Sequence, residues 1–288
     1  MSSPSQDKCD VTPTAHHAPG ISQSSPRMRP SRVLRKLRAG QVVGCTKLNL
    51  GDPRVADLAA GCGIDCIWLD REHVPNDLRD VAAMVGAAKA YDVDTLVRVP
   101  RGSYSDLIHP LEMDATGIMV PHLMSAADAV QIARQTRFHP LGRRALDGGN
   151  ADGAYCRIPV RDYITQANRE RFVIVQIEDP EPLDELDAIA AVEGIDMLFF
   201  GPGDFSHAIG CAGEMDAPPV VEARRRIAAV ARRHGKFAGT VGSAESLGSL
   251  VDLGYRFINI GADVTLLASG FGQVAQVFSE WQAPQASS

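Results

Sequence analysis

The alternation of apolar and amphipathic segments predicts a (β/α)8 TIM barrel, a parallel eight-stranded barrel with an outer ring of helices. Eight short apolar runs begin near Val42, Ile64, Thr95, Gly117, Phe172, Ile195, Phe237 and Arg256. Helical stretches separate them at residues 53–60, 77–91, 105–113, 126–136, 182–192, 220–234, 244–253 and 264–280. No GxGxxG follows any run, which disfavours a doubly wound open sheet built from the same alternation.

Taken in order, residues 1–30 are rich in Ser, Pro, Gln and His and read as a disordered tail. They lack the apolar core of a secretory signal, and His16 with His17 reads as a solvated pair. A short helix, SRVLRKLRA, spans 31–39 and stops at Gly40, and one barrel domain is expected over 31–282. Lys47 stands near the end of the first strand. The second strand ends in WLDREH, with Asn76 placed to cap the next helix. The third ends in LVRVP, and the fourth at Pro121 and His122, followed by a Ser125–Asp128 capping-box pattern.

Residues 137–171 form a long insertion containing GRRALDGGNADGAY and a short helix over 160–168. An insertion of that length is usually functional or mobile. The fifth strand, FVIVQIEDP, is apolar on both faces, as a buried parallel strand should be, and Pro180 blocks further pairing. The sixth ends in the turn GPGDFS. Arg232, Arg233 and His234 close the helix over 220–234 against its dipole, before Gly235. Leu247, Leu250 and Val251 form the stripe of the next helix, which ends at Gly254. Asp263 reads as the N-cap of the last helix. That helix carries Leu266, Leu267, Phe271, Val274, Val277 and Phe278, more apolar surface than one barrel-facing stripe needs. It predicts packing on a second copy. Residues 283–288 are expected to fray.

Composition narrows the class. A net charge of -6 with scattered basic residues argues against nucleic acid as a partner. No apolar run approaches the roughly 20 residues of a membrane span. Six cysteines without a CxxC pair suit buried thiols in a reduced, cytoplasmic protein.

In such a barrel the chemistry sits at the C-terminal strand ends, and the capable residues gather there. These are Asp70, Glu72 and His73 after strand two, Arg98 in strand three, Gln176 and Glu178 in strand five, and Asp204 after strand six. Ionised groups at buried strand ends are costly unless they meet partners, so Glu178 and Asp204 are candidates to converge on one cation. Arg98, Gln176, Gly203, Asp204 and Val241 are the substrate-binding candidates. His122 reads as structural.

The succession LDREH, LVRVP, IMVPH, GRR, VQIE, GPGDFS and GADVTLL, running over residues 40–268, resembles the HpcH/HpaI class II pyruvate aldolases. The resemblance implies a divalent metal on Glu178 and Asp204, with His73 and Arg98 matching the family's active-site His and Arg. It also implies a hexamer, a trimer of dimers, with the last helix exchanged between subunits. Two features depart from the family pattern. Arg71 replaces a small or uncharged residue, and Ala145 replaces a glycine in the region that here reads GRRALDGGN.

The expected reaction makes or cleaves 4-hydroxy-2-oxo acids, giving pyruvate or hydroxypyruvate and an aldehyde. Carboxylate donors suit Mg or Mn, with Co a further option. The metal would stabilise an enolate with help from Arg98. His73, oriented by Asp70, would act as base on the aldol hydroxyl, and Glu72 would hold metal waters. A lysine Schiff base is the rival route, and Lys47 its one credible residue, because Lys236 lies at the wrong rim. The alternatives in function are a malyl- or citryl-CoA type lyase and a non-catalytic barrel sensing a small 2-oxo acid.

Overall fold

The structure, a computed structural model, describes residues 26–282. The tail expected over 1–25 and the frayed end over 283–288 lie outside the described residues. The strands are β1 (Val43–Leu48), β2 (Cys66–Asp70), β3 (Asp94–Arg98), β4 (Gly117–Val120), β5 (Phe172–Ile177), β6 (Met197–Phe200), β7 (Phe237–Gly242) and β8 (Phe257–Ala262). Each pairs in parallel with the next, and β8 returns to β1, so the sheet is the closed eight-stranded barrel that the alternation predicts. The surrounding helices are α1 (Arg32–Arg38), α2 (Pro53–Gly61), α3 (Leu78–Lys89), α4 (Tyr104–Glu112), α5 (Ala126–Thr136), α6 (Val160–Glu170), α7 (Leu186–Ala190), α8 (Pro202–Ala208), α9 (Pro218–Arg233), α10 (Leu247–Leu253) and α11 (Asp263–Gln282).

Side chains alternate across each strand, and a closed sheet turns that alternation into an inside and an outside. Cys45, Trp68, Leu96, Met119, Ile174, Phe199 and Phe257 fill the lumen. Leu48, Leu69, Val97, Ile118, Val175 and Leu198 face the helices. Val33, Leu34 and Leu37 of α1 join the lumen cluster and plug the N-terminal end of the barrel. Full burial of one such aliphatic side chain contributes about 1.5–3 kcal/mol.

Two steps beyond the lumen residues Cys45, Trp68, Leu96 and Ile174 stand Lys47, Asp70, Arg98 and Gln176. Strand periodicity therefore sets these four polar residues in one layer at the open mouth. Glu178 follows Gln176 at the same spacing, just past the end of β5.

Some local expectations change. Asp77, not Asn76, caps α3 in a reciprocal box with Asp80. Asn76 instead donates to the carbonyls of Asp70 at 3.1 Å and Asn49 at 3.4 Å, tying the second-strand loop to the end of β1. Ser125 does cap α5, through the Asp128 N–H. Asp263 accepts from the N–H groups of Asn49 and Leu50, both at 2.9 Å, as well as from Val264. Residues 26–30, assigned to the tail, pack on the barrel. Met28 is buried with Phe138, Ile158, Tyr163 and Ala167, and Arg29 pairs with Asp92 and Asp94. The long insertion is built around buried Arg144, which donates to Asp152 at 3.0 Å and stacks 4.8 Å from the centre of Phe138. Of the thiols, Cys45 and Cys66 are buried, whereas Cys62 and Cys156 are exposed.

Candidate active site

Asp70 is the centre of the mouth. It is fully buried, and such a charge persists only with full pairing. Arg98 meets it with two parallel bonds, Nε to Oδ1 at 2.9 Å and Nη2 to Oδ2 at 2.7 Å. Lys47 Nζ lies 2.8 Å from Oδ2, and the Glu72 N–H donates to Oδ1 at 3.1 Å. Burial opposes ionisation of Asp70, but Arg98 and Lys47 outweigh it and hold the carboxyl down at about 2. Arg98 and Lys47 also lie over the Trp68 ring, at 4.9 and 5.5 Å from its centre.

The chain of charges continues through Glu72, whose Oε2 is 2.9 Å from Arg98 Nη1 but not aligned for a hydrogen bond. Glu72 Oε1 lies 3.6 Å from His122 Nε2. His122 takes a left-handed backbone, φ 47°, which turns its N–H onto Glu178 Oε1 at 2.9 Å. Its Nδ1 meets Asp179 at 2.9 Å. Burial lowers the His122 pKa, yet the carboxylates of Asp179, Glu178 and Glu72 raise it overall.

Glu178 is in the reverse situation. Burial pushes its carboxyl up to about 7, and the charges of Asp204 and Glu72 add to this, against the opposing effect of His122. Gln176 donates to Glu178 Oε2 from below. Across the turn stands Gly201, where a Cβ would lie 2.7 Å from Glu178 Oε2 and 2.9 Å from Gln176 Nε2. Only glycine leaves that space open.

These features fit a divalent cation. Glu72, His122 and Glu178 each offer one ligand atom within 4.8 Å of the others. Among the described residues no lysine or arginine nitrogen lies within 4 Å of the buried Glu178 carboxylate, and Gln176 Oε1 is buried without a hydrogen-bond partner. Carboxylate oxygens with one imidazole suit a hard or borderline ion. Asp204, expected beside Glu178, is exposed on the first turn of α8 and close enough for its charge to act on Glu178.

The structure revises the expected division of labour. His122, read as structural, stands between the two glutamates, which its backbone conformation decides and no local pattern announces. His73 is 56% exposed and lies 3.4 Å from Glu72 Oε2, so Glu72 is its neighbour. Asp70 does not orient it, because the Asp70 oxygens are taken by Arg98, Lys47 and the Glu72 N–H. Lys47 reaches the mouth, as the Schiff-base rival required, but its Nζ is engaged by the Asp70 carboxylate at 2.8 Å. Gly203 and Val241 are exposed at neighbouring strand ends and line one groove with Pro202, Ser243 and Ser246. Arg71, the departure noted above, turns toward the Asn76 carbonyl, 3.4 Å from its Nε.

A closed parallel barrel with a polarised cluster of acids, bases and cations at its C-terminal rim defines an α/β-barrel enzyme. The particular family follows from comparison with known proteins. The HpcH/HpaI aldolase/citrate lyase family model matches residues 48–270, and the chain belongs to that family. It is 35% identical over 260 residues to a hydroxypyruvate/pyruvate aldolase of Pseudomonas aeruginosa, covering 90% of this chain and 97% of that one. It is 33% identical to a 4-hydroxy-2-oxo-heptane-1,7-dioate aldolase of Salmonella dublin, over 84% of this chain and 92% of the relative. The crystal structure of an HpcH/HpaI aldolase from Desulfitobacterium hafniense superposes with a TM-score of 0.83 at 28% identity, covering 88% of this chain and 99% of that one. The protein is an enzyme of the HpcH/HpaI aldolase family.

Proposed function

We propose that the enzyme makes or cleaves 4-hydroxy-2-oxo acids, with pyruvate or hydroxypyruvate and an aldehyde as partners. The observation that carries this reading is the juxtaposition of Glu72, His122 and Glu178 within 4.8 Å beside the Arg98–Asp70 pair. One half suits a divalent cation, Mg or Mn, and the other a developing negative charge. The names of the relatives point the same way, since they are aldolases acting on hydroxypyruvate, pyruvate and a 2-oxo diacid.

Glu178, with Glu72, His122 or Asp204, would hold the cation, which when bound supplies Lewis-acid stabilisation of an enolate. Arg98, fixed on two carboxylates, sets a guanidinium beside the developing charge without reorganisation. His73 is exposed at the entrance and serves as base for the aldol hydroxyl, steadied by Glu72. Gln176, Gly203 and Val241 line the path of the substrate.

A panel of aldehydes with pyruvate and with hydroxypyruvate, in Mg or Mn, tests the reading. Carbon–carbon bond formation that stops on chelation is the expected result. Turnover of acyl-CoA esters alone would make the protein a lyase of that type. Binding of pyruvate without turnover of any aldehyde would make it a sensor.

The last helix supports self-association. Every residue of α11 from Val264 to Gln282 is exposed, including Phe271 at 69% and Trp281 at 84%. So much apolar surface is covered in a homo-oligomer, for which we propose a hexamer of three dimers. Light scattering at micromolar concentration checks this, and a monomer refutes it. Among the described residues no helix is long and apolar enough to cross a membrane, and the free thiols fit the cytoplasm.

A further inference from the structure

His122 is built into the mouth in a way that a surface histidine does not need. Its φ of 47° is strained for any residue with a Cβ, whereas a glycine would adopt it freely. Backbone strain of this kind gathers at functional sites. It sets the ring between two carboxylates, Asp179 on one side and Glu72 on the other, with the side chain half-exposed and open to an ion.

The two ring nitrogens are in different circumstances. Nδ1 lies 2.9 Å from Asp179 Oδ2, and an ionised carboxylate only accepts, so Nδ1 carries the ring proton. Nε2 lies 3.6 Å from Glu72 Oε1, too far for a hydrogen bond. An imidazolium N–H held for its ion pair would close on that carboxylate to about 2.7–2.9 Å. In the neutral ring Nε2 is an acceptor that faces another acceptor, and only a positive charge between them satisfies both. Two ligands each about 2.1 Å from one ion stand roughly 3–4 Å apart, which is the spacing of this pair. A ring with one nitrogen donating to a carboxylate and the other left free is also how metal-bound histidines are oriented.

We infer that His122 Nε2 is a ligand of the cation, beside Glu178 and Glu72, and that Asp179 is the positioning residue that fixes its ring. The inference rests on the reading of this cluster as a divalent-cation site. It adds a nitrogen to an oxygen site and so moves its preference from Mg toward borderline ions such as Co.

Pulsed EPR of Mn bound one-to-one to the full-length protein reads the donor atoms without any turnover. The wild-type protein should show coupling to a directly bound imidazole nitrogen. His122→Gln should bind Mn without that coupling, and His73→Gln should keep it. By calorimetry Asp179→Asn should weaken Co binding about tenfold and His122→Gln by more, with Mg affected less than Co in both. A wild-type protein that binds Mn in a Glu178-dependent way but shows no nitrogen coupling overturns the inference and leaves the cation site standing. Coupling that persists in His122→Gln, or disappears in His73→Gln, also overturns it by assigning the nitrogen elsewhere. An equal loss of Mg and Co in Asp179→Asn removes the positioning role. Should His122→Gln fail to fold, the wild-type and His73→Gln spectra decide by the same criteria. Failure of the wild-type protein to bind Mn, Co or Mg instead removes the cation site itself, and the inference with it.

Discussion

The N-terminal rim of the barrel neutralises its carboxylates with cations, whereas the C-terminal rim does so for Asp70 but not for Glu178. At the N-terminal rim Asp65, Asp94, Asp114 and Asp196 stand at or just before the starts of β2, β3, β4 and β6. Each meets a cation. Asp65 takes Lys36 at 2.5 Å and Arg32 at 3.0 Å, Asp94 takes Arg29 at 2.7 Å, Asp114 takes Lys89 and Arg171, and Asp196 takes Arg137. At the C-terminal rim Glu178 is also buried, yet among the described residues the only basic group within 4 Å of it is His122, itself 42% exposed. The first set fastens α1, the insertion and the strand starts together. Glu178 keeps a deficit of positive charge. A fold retains such a deficit where a cation or substrate relieves it, so Glu178, unlike the equally acidic but fully paired Asp70, is the carboxylate that calls for an added positive charge.

Breaking the paired rim should have the largest effect on stability. Arg171→Met leaves buried Asp114 with Lys89 alone and frees the carbonyl of Arg29, which Arg171 holds at 3.2 Å. A loss of about 3–5 kcal/mol is expected in urea unfolding. A loss below about 1 kcal/mol would erase the contrast.

At the other rim the sign reverses. The folded Glu178 carboxyl titrates near 7 against an ordinary 4.5, so the folded state holds that proton more tightly than the unfolded chain. With divalent ions chelated, stability should therefore fall as pH rises from about 4.5 to about 7. His122, also raised, loses its contribution in the same direction as pH climbs through its folded pKa. Glu178→Gln should abolish metal-dependent turnover. It should also flatten this pH dependence and add up to about 3 kcal/mol at pH 8, at 1.36 kcal/mol per pKa unit. A destabilised Glu178→Gln protein would show that this carboxylate is scaffold after all.

Supplying the missing charge sharpens the comparison further. Mg or Mn at a hundredfold over its Kd should raise stability by about 2.7 kcal/mol, read as a shift of Tm against a chelator control. The shift should vanish in Glu178→Gln and persist in Lys36→Met, a change at the paired rim. An equal shift in both variants would place the ion elsewhere.

The smallest effect on stability is expected from His73→Ala, within about 0.5 kcal/mol because the ring is exposed. Its effect is on chemistry. It should slow aldol cleavage yet spare proton exchange at the pyruvate methyl, which Arg98→Ala should impair along with cleavage. Loss of one charge contact of the Arg98 kind costs about 2.7–4 kcal/mol in the transition state. Isotope exchange followed by NMR decides. Equal loss of exchange in both variants would assign His73 to enolisation as well.

Much of this was legible before any coordinate. Eight apolar runs at helix-separated intervals specify a parallel barrel, because such strands are buried on both faces and need crossover helices. The barrel rule then sends Asp70, Arg98, Gln176 and Glu178 to one rim, since each lies at the C-terminal end of its strand. Asn76 misled because it neighbours a better cap, Asp77, and its amide is used across the loop.

What the amino-acid sequence determined by itself was periodic or local: the barrel, the rim that carries the chemistry and the apolar excess of α11. Those features depend on residue spacing of two or about four, which a single strand or helix already contains. Tertiary structure alone decided who pairs with whom. His122 bonds Glu178 across 56 residues, and Arg98 bonds Asp70 across 28. Pairing of β1 with β2 brings Lys47 to the same carboxylate. Charge pairing acts over a few ångströms of space and is blind to distance along the chain. Whether a given acid is neutralised or left wanting a cation was settled only when neighbouring strands set their ends side by side.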